Sequence, residues 1–361
     1  MKQERHAFAA VGLTADQTKH RWRAMTKWLV RIALTLLLLF GLAVLGGAAY
    51  ESLGARQAAR DYPPTGQLVD IGGRRLQLDC RGQGSPTVVF ESGLDMLGAL
   101  SWSAVHDDVA TITRACAYSR AGILWSDPAD GPRDARAVAA DLYALLQQAE
   151  ETGPLVLVGH SLGGPYVMAY TQAHGGEVAG VVLVDATHPD QVARLAEIGA
   201  PTEMSASAQN IQAFAARLHW TGLVRAFANA QGVMPHMPPG TDAIMKAYAA
   251  TSLGPMLAES SALKTSLAQA GTARDLGQRP LYVLTAMAPF TAEARQQMGI
   301  TPEQALRVKD IWRALHEEAA GWSSRGLHEA VPDADHYIQF DRPDRVVAAV
   351  RSVVNVVRGQ P

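Results

Sequence analysis

Residues 155–164, "LVLVGHSLGG", run four apolar residues into a serine set among small neighbours. Gly159-His160-Ser161-Leu162-Gly163 fits the Gly-x-Ser-x-Gly spacing of a nucleophile on a sharp turn from strand to helix. Such a turn holds the serine at strained backbone angles, and its flanking positions must be small or side chains collide with sheet and helix. In return the serine oxygen stands clear of the backbone at a helix amino terminus, where the helix dipole favours developing negative charge. The chemistry is acyl transfer. It requires a base, a carboxylate and oxyanion donors from elsewhere in the chain.

Other chemistries find little support. The chain has 361 residues with 32 Lys and Arg against 34 Asp and Glu, so charge balance offers no case for nucleic-acid binding. The two cysteines, Cys80 and Cys116, lack Cys-x-x-Cys spacing, which removes zinc-ribbon and thioredoxin-like readings. The histidines are scattered, and His188 beside Asp185 and Asp190 is the nearest approach to a ligand cluster; no metal site is assigned. "GHSLGG" lacks the Gly-x-Gly-x-x-Gly spacing of a dinucleotide fingerprint, and no cofactor is expected.

The elements that must position the serine are visible as apolar runs. "QLVDI" and "RRLQLDC" alternate around Gly72-Gly73, a hairpin signal. "TVVFESG", "TRACAY", "LVLV", "GVVLVDA", "LYVLTAM" and "GLHEAV" read as further strands. Residues 135–149, 163–173, 302–320 and 343–357 carry helical periodicity. Strands alternating with helices imply a mostly parallel sheet covered on both faces. Residues 186–278 break the rhythm with an Ala-, Met- and Gln-rich stretch that has no strand signal, and so read as an inserted helical segment.

The amino terminus is different again. Residues 1–31 form a basic leader, and residues 32–50, "IALTLLLLFGLAVLGGAAY", carry no charge. As a helix the latter cover roughly 28 Å at about 1.5 Å per residue, close to the ~30 Å hydrocarbon core of a membrane. The positive flank places the leader in the cytoplasm and the rest of the chain outside. An uncleaved anchor is expected; Gly47 and Ala49 are small enough for the alternative, a cleaved signal and a secreted domain. Residues 51–65 read as a polar linker ending in Pro63-Pro64. The core is then expected at 66–185 and 279–361, with the helical segment at 186–278 between its halves.

With these motifs in order, "FESG", "YSRAG", "GHSLGG" and "DADHYIQFDRPD", the chain resembles the α/β-hydrolase superfamily from about residue 66 to residue 358, outside the inserted segment. The resemblance implies an eight-stranded, mostly parallel sheet flanked by helices, with a helical cap inserted after the sixth strand. It implies a triad in the chain order serine, acid, histidine. His336, ahead of an apolar stretch and a Pro-initiated helix, matches the family's base. The oxyanion donors would be the amides of Leu162 and of Leu94 in "ESGLD", where many relatives carry His-Gly and this chain has Ser92-Gly93. His160 reads as a packing or orienting residue and Arg120 as a loop-ordering charge. The cap would sit over the site, with Trp220, Met234 and Met237 lining an apolar entrance. The family's strand order sets Cys80 beside Cys116, leaving a disulfide or two buried thiols; outside the cytoplasm a bridge persists.

The acid is the least obvious member. The family's usual place, after the seventh strand, reads "LTAMAPFTAEARQ", with only Glu293 downstream. Asp185, ending "LVLVDA", keeps the chain order and is the choice; Asp333 and Asp335 are the alternatives near His336. The expected function is a serine hydrolase cleaving a lipophilic or medium-sized carboxylic ester. Amidase, thioesterase or cofactor-free haloperoxidase activity on the same fold is the alternative, and an exported non-catalytic binding protein is the rival class. Epoxide hydrolase and dehalogenase chemistry is disfavoured because it needs Asp where Ser161 stands. The substrate and the oligomeric state are not specified by these residues.

Overall fold

The computed structural model describes residues 15–202, 206–232 and 237–360. Each apolar run named above is a strand: β1 (Gln67–Asp70), β2 (Arg75–Arg81), β3 (Thr87–Glu91), β4 (Ala115–Tyr118), β5 (Leu155–His160), β6 (Val178–Val184), β7 (Leu281–Ala286) and β8 (Gly326–Val331). They form one sheet in the order β1-β2-β4-β3-β5-β6-β7-β8. β2 is antiparallel to both its neighbours, and the other pairings are parallel. The β1–β2 turn works because Asp70 Oδ1 accepts from the amides of both Gly72 and Gly73.

All six residues of β5 are buried, which is why its sequence is continuously apolar rather than alternating. One face of the sheet is covered by helices Ala135–Gln148 and Gly163–His174, packing Leu142, Leu146, Val167 and Tyr170 onto Leu157 and Val181. The other face takes Trp102 and helix Pro343–Val357, whose Val346, Val350 and Val353 meet Val156, Val158 and Val182. The parallel strands therefore all end on one edge. Ligand sites in open α/β sheets form at that carboxyl edge, and the turns after β3, β5, β6 and β8 all lie there.

Between β6 and β7 the described residues form helices Gln191–Glu197, Ala206–Arg217, Leu223–Ala230, Thr241–Ser261 and Leu263–Ala270. Three expectations need correction. Residues 51–61 are not a linker: a single helix runs Ala15–Asp61, stopping just before Pro63-Pro64, whose rings disfavour helical conformation in the preceding residues. Its last turns are rich in Ala, Arg and Gln, good helix formers, and Glu51 and Ala58 are buried against the rest of the chain. Trp220 is about half exposed and Met237 is buried with Leu97 and Phe340, and neither lines the space at Ser161 or the larger cavity beside Leu94; Met234 lies outside the described residues. Residues 15–31 of the basic leader belong to the same helix, which is long and apolar enough to cross a membrane.

Candidate active site

Ser161 follows β5 directly and adopts φ 51°. Its amide donates to Val184 O and its carbonyl accepts from Gly164 and Thr187. The turn is tight enough that a Cβ at Gly159 would lie 2.7 Å from Gly163 O, and one at Gly163 would lie 2.5 Å from Glu91 O. The small residues of the motif are thus required by backbone-to-backbone approach. Asp185, ending β6, is also held at positive φ, 42°.

The three residues meet. His336 Nδ1 donates to Asp185 Oδ2 at 2.7 Å, and His336 Nε2 accepts from Ser161 Oγ at 2.9 Å. Asp185 is buried, whereas the His336 side chain is 44% exposed. Burial works to raise the Asp185 pKa, yet the carboxyl is held below the usual range: the His336 hydrogen bond and charge, the His316 charge and the Ala286 amide together outweigh it. Asp333 instead pairs with Arg342, the Asp335 amide donates to Asp341 Oδ2, and Glu293 sits in the first turn of helix Ala292–Met298.

Two further imidazoles support this line. His160 donates from Nε2 to His336 O at 2.9 Å, so its ring pins the loop that carries His336. Burial, with the nearby His336 charge, pushes its pKa down to about 3, and the ring is neutral. His316 was not foreseen. It donates from Nε2 to Ala186 O and receives Thr285 Oγ1 at Nδ1. Its Nδ1 stands 4.0 Å from Asp185 Oδ1, and burial lowers its pKa.

The loop after β3 lies against the serine: a Cβ at Gly93 would sit 3.0 Å from Ser161 Cβ. Arg120 holds that loop. Its guanidinium, 1% exposed, donates to Glu91 Oε1, Ser92 O, Ser92 Oγ and Gly93 O, and makes a two-bond pair with Glu259. Glu259 comes from cap helix Thr241–Ser261, so one side chain ties the Ser92–Gly93 backbone, and with it the Leu94 amide, to the cap. Leu162 is the N-cap of helix Gly163–His174, where the first amides have no partner within the helix. Neither Glu91 nor Glu259 stood out in the sequence, because each reads alone as an ordinary acid at the end of an apolar stretch.

A space of about 170 Å³ opens over Ser161, Asp185 and His336, walled by Thr187, Gln191, Trp312 and His316. A larger cavity of about 600 Å³ has an apolar side of Leu94, Val192, Ala213, Met256, Leu257 and Leu263 and a polar side of Thr202, Gln212, Ser260, Ser261 and Lys264. Neither Trp220 nor Met237 is among these lining residues. Cys80 and Cys116 sit opposite each other on β2 and β4 and are joined as a disulfide. His188, Asp190 and Glu318 come within ligand distance of one another, but Arg274 pairs with both acids and Arg194 with Glu318. The cluster is a salt-bridge network.

Residues 54–349 match the model of the alpha/beta hydrolase family, and the chain belongs to that family. Among solved structures it is similar to a thermophilic esterase from Thermogutta terrifontis, with TM-score 0.54 and 19% identity over 80% of this chain and 97% of that one. It is also similar to an enol-lactonase from Burkholderia xenovorans, with TM-score 0.57 and 17% identity over 80% of this chain and all of that one. Curated relatives match over shorter segments. An uncharacterised protein of Schizosaccharomyces pombe is 42% identical over 74 residues, 20% of this chain and 14% of that protein. A protein of Hormonema carpetanum named as a probable transporter is 34% identical over 126 residues, 33% of this chain and 18% of its own length.

Proposed function

We propose that the protein is a serine hydrolase that cleaves a carboxylic ester through an acyl-enzyme, with Ser161 as nucleophile, His336 as base and Asp185 as the acid that orients it. The observation that carries this reading is the unbroken hydrogen-bond line Ser161–His336–Asp185, at 2.9 and 2.7 Å. His336 takes the Ser161 proton as Oγ attacks the ester carbonyl carbon. The carbonyl oxygen gains the electron pair and is met by the amides of Leu94 and Leu162. Collapse expels the alcohol, which receives the proton from His336. Water then repeats the sequence on the acyl-enzyme, releasing the carboxylic acid and restoring Ser161. Asp185 keeps the imidazole in the tautomer that presents Nε2 to the serine and supports the imidazolium that forms.

The helix Ala15–Asp61 serves in this reading as an uncleaved anchor, with the leader in the cytoplasm and the catalytic domain outside. The apolar side of the larger cavity, from Leu94, Val192, Met256, Leu257 and Leu263, favours a lipophilic acyl group, and its polar side suits a polar end of the same molecule. A fluorophosphonate probe tests the chemistry: it labels the wild-type chain at Ser161 and leaves Ser161→Ala unlabelled. Labelling of Ser161→Ala at the wild-type level, or its retention of half the ester turnover, contradicts the serine mechanism.

A further inference from the structure

The N-terminal helix is fixed to the cap just where its uncharged stretch ends. Gly47 packs on the cap backbone so closely that a Cβ there would collide with Thr221 O, and Gly222, at φ 76°, faces Gly47 O and the Tyr50 ring. Glu51 and Arg225 form a buried two-bond ion pair at 2.7 and 3.0 Å. Gly54 leaves room for the Arg225 guanidinium.

The cap elements held there are inside out. Helix Leu223–Ala230 buries its arginine, Arg225, and exposes Leu223 and Phe227, which share one face at i and i+4. Helix Ala206–Arg217 exposes Ile211 and Phe214, and Trp220 lies between the two helices. These five side chains are 47 to 68% exposed. Residues 206–232 contain no Asp or Glu, and Arg217 is their one Lys or Arg besides the buried Arg225. A water-facing surface normally intersperses charge and avoids such clustering. The same helix Ala206–Arg217 puts Gln212 and Ala213 on the wall of the large cavity that Leu94 also lines.

We infer that this cap face lies in the lipid leaflet from which the N-terminal helix emerges, and that the ester substrate is a long-chain amphiphile taken from that leaflet. Lipid is the occupant because the face is continuous with an apolar helix already long enough to cross a bilayer, and the junction is rigid. Insertion is by ~5–10 Å, the depth of an interfacial helix. Only the thickness of one helix then separates lipid from the cavity beside the catalytic loop. The inference rests on the anchored serine-hydrolase reading, and its test is arranged to separate the two.

Both native cysteines are in the disulfide, so an introduced cysteine is a unique thiol. Full-length chains carrying Leu42→Cys, Phe227→Cys or Leu306→Cys are labelled with bimane and reconstituted in phosphatidylcholine–phosphatidylglycerol vesicles containing acyl-brominated phosphatidylcholine. Leu306, 70% exposed on helix Pro302–Ala320, is the water-facing control. Quenching at 227 is expected to exceed that at 306 by at least about fivefold, and to be strongest with bromines placed near the headgroup. Quenching at 42 but not at 227 overturns the inference alone. Quenching at neither overturns the anchor and the inference with it. A label at 227 shielded from both bromolipid and aqueous iodide marks an interface with a second copy and also overturns it.

A second arm uses the unaltered chain and a long-chain umbelliferyl ester. Ester in the enzyme's own vesicles is expected to be cleaved at least about tenfold faster than the same amount in separate vesicles, since a shared bilayer raises effective concentration. Equal rates overturn uptake from the leaflet. No cleavage in either arrangement, with Ser161 still labelled by fluorophosphonate, overturns the substrate class; loss of that labelling would instead fault the serine mechanism.

Discussion

Arg120 and Glu259 form a two-bond ion pair at 2.8 and 2.7 Å that joins the loop beneath the nucleophile to the cap. The same guanidinium also neutralises Glu91. Arg120→Ala therefore strands the Glu259 carboxylate in the interior and leaves Glu91 with the Tyr118 hydroxyl as donor, and breaking a buried pair in this way costs about 3–5 kcal/mol. Denaturant titration of the full chain in detergent measures it. A loss below about 1 kcal/mol would show that both acids find other partners on relaxation.

Asp185→Asn keeps size and most hydrogen bonding while removing charge. Turnover is expected to fall at least about a hundredfold with melting little changed, since the imidazole then adopts the wrong tautomer and its cation is unsupported. Asp333→Asn, Asp335→Asn and Glu293→Gln are each expected to cost less than about tenfold, because His336 Nδ1 is already held by Asp185. A near-wild-type Asp185→Asn beside a crippled member of the other three would reassign the acid.

Glu91 gives a pH dependence. Burial pushes its pKa up to about 7 against the opposing charge of Arg120. A carboxyl raised in the folded state binds more protons there than in the unfolded chain, so stability falls as pH rises. The window runs from the ordinary carboxylate range up to about 7, and the loss levels off above it. Glu91→Gln should flatten this part of the melting-temperature profile between pH 5 and pH 8. An unchanged slope in the variant would assign the effect to other groups.

The disulfide closes a loop between residues 36 apart. Thiol titration of denatured, unreduced protein should find no free thiol. Cys80→Ser with Cys116→Ser should lower stability by ~2–4 kcal/mol. Two titratable thiols in the unreduced chain would refute the bridge.

The eight strands were readable because each is a short apolar run between turn signals, and in β5 and β6 burial on both sheet faces leaves no polar position to blur it. The close approach of the Ser161 turn was readable too, since it is written in adjacent residues. Contacts across long sequence separations were not. His316 reaches Ala186 across 130 residues and Glu259 reaches Arg120 across 139, and neither residue has a local pattern that marks its partner. The extension of the first helix through residue 61 was hidden for a related reason. Its polar composition suits a linker, and only the docked cap turns Glu51 and Ala58 inward.

That docking puts the change from an exposed apolar stretch to a packed one in the middle of one continuous helix. Its first half is long and apolar enough to cross a bilayer, and its second half, from about Gly47 to Asp61, is a structural strut of the cap. A chain shortened to begin at Tyr62 would lose the Glu51 partner of Arg225 and the Ala58 carbonyl that receives Tyr248 Oη. Cutting near Ala49 would leave that ion pair in place. A form cut at Ala49 would therefore keep the Glu51–Arg225 tie and lose the Gly47 contact with Thr221 and Gly222, whereas trimming to the first strand would remove both.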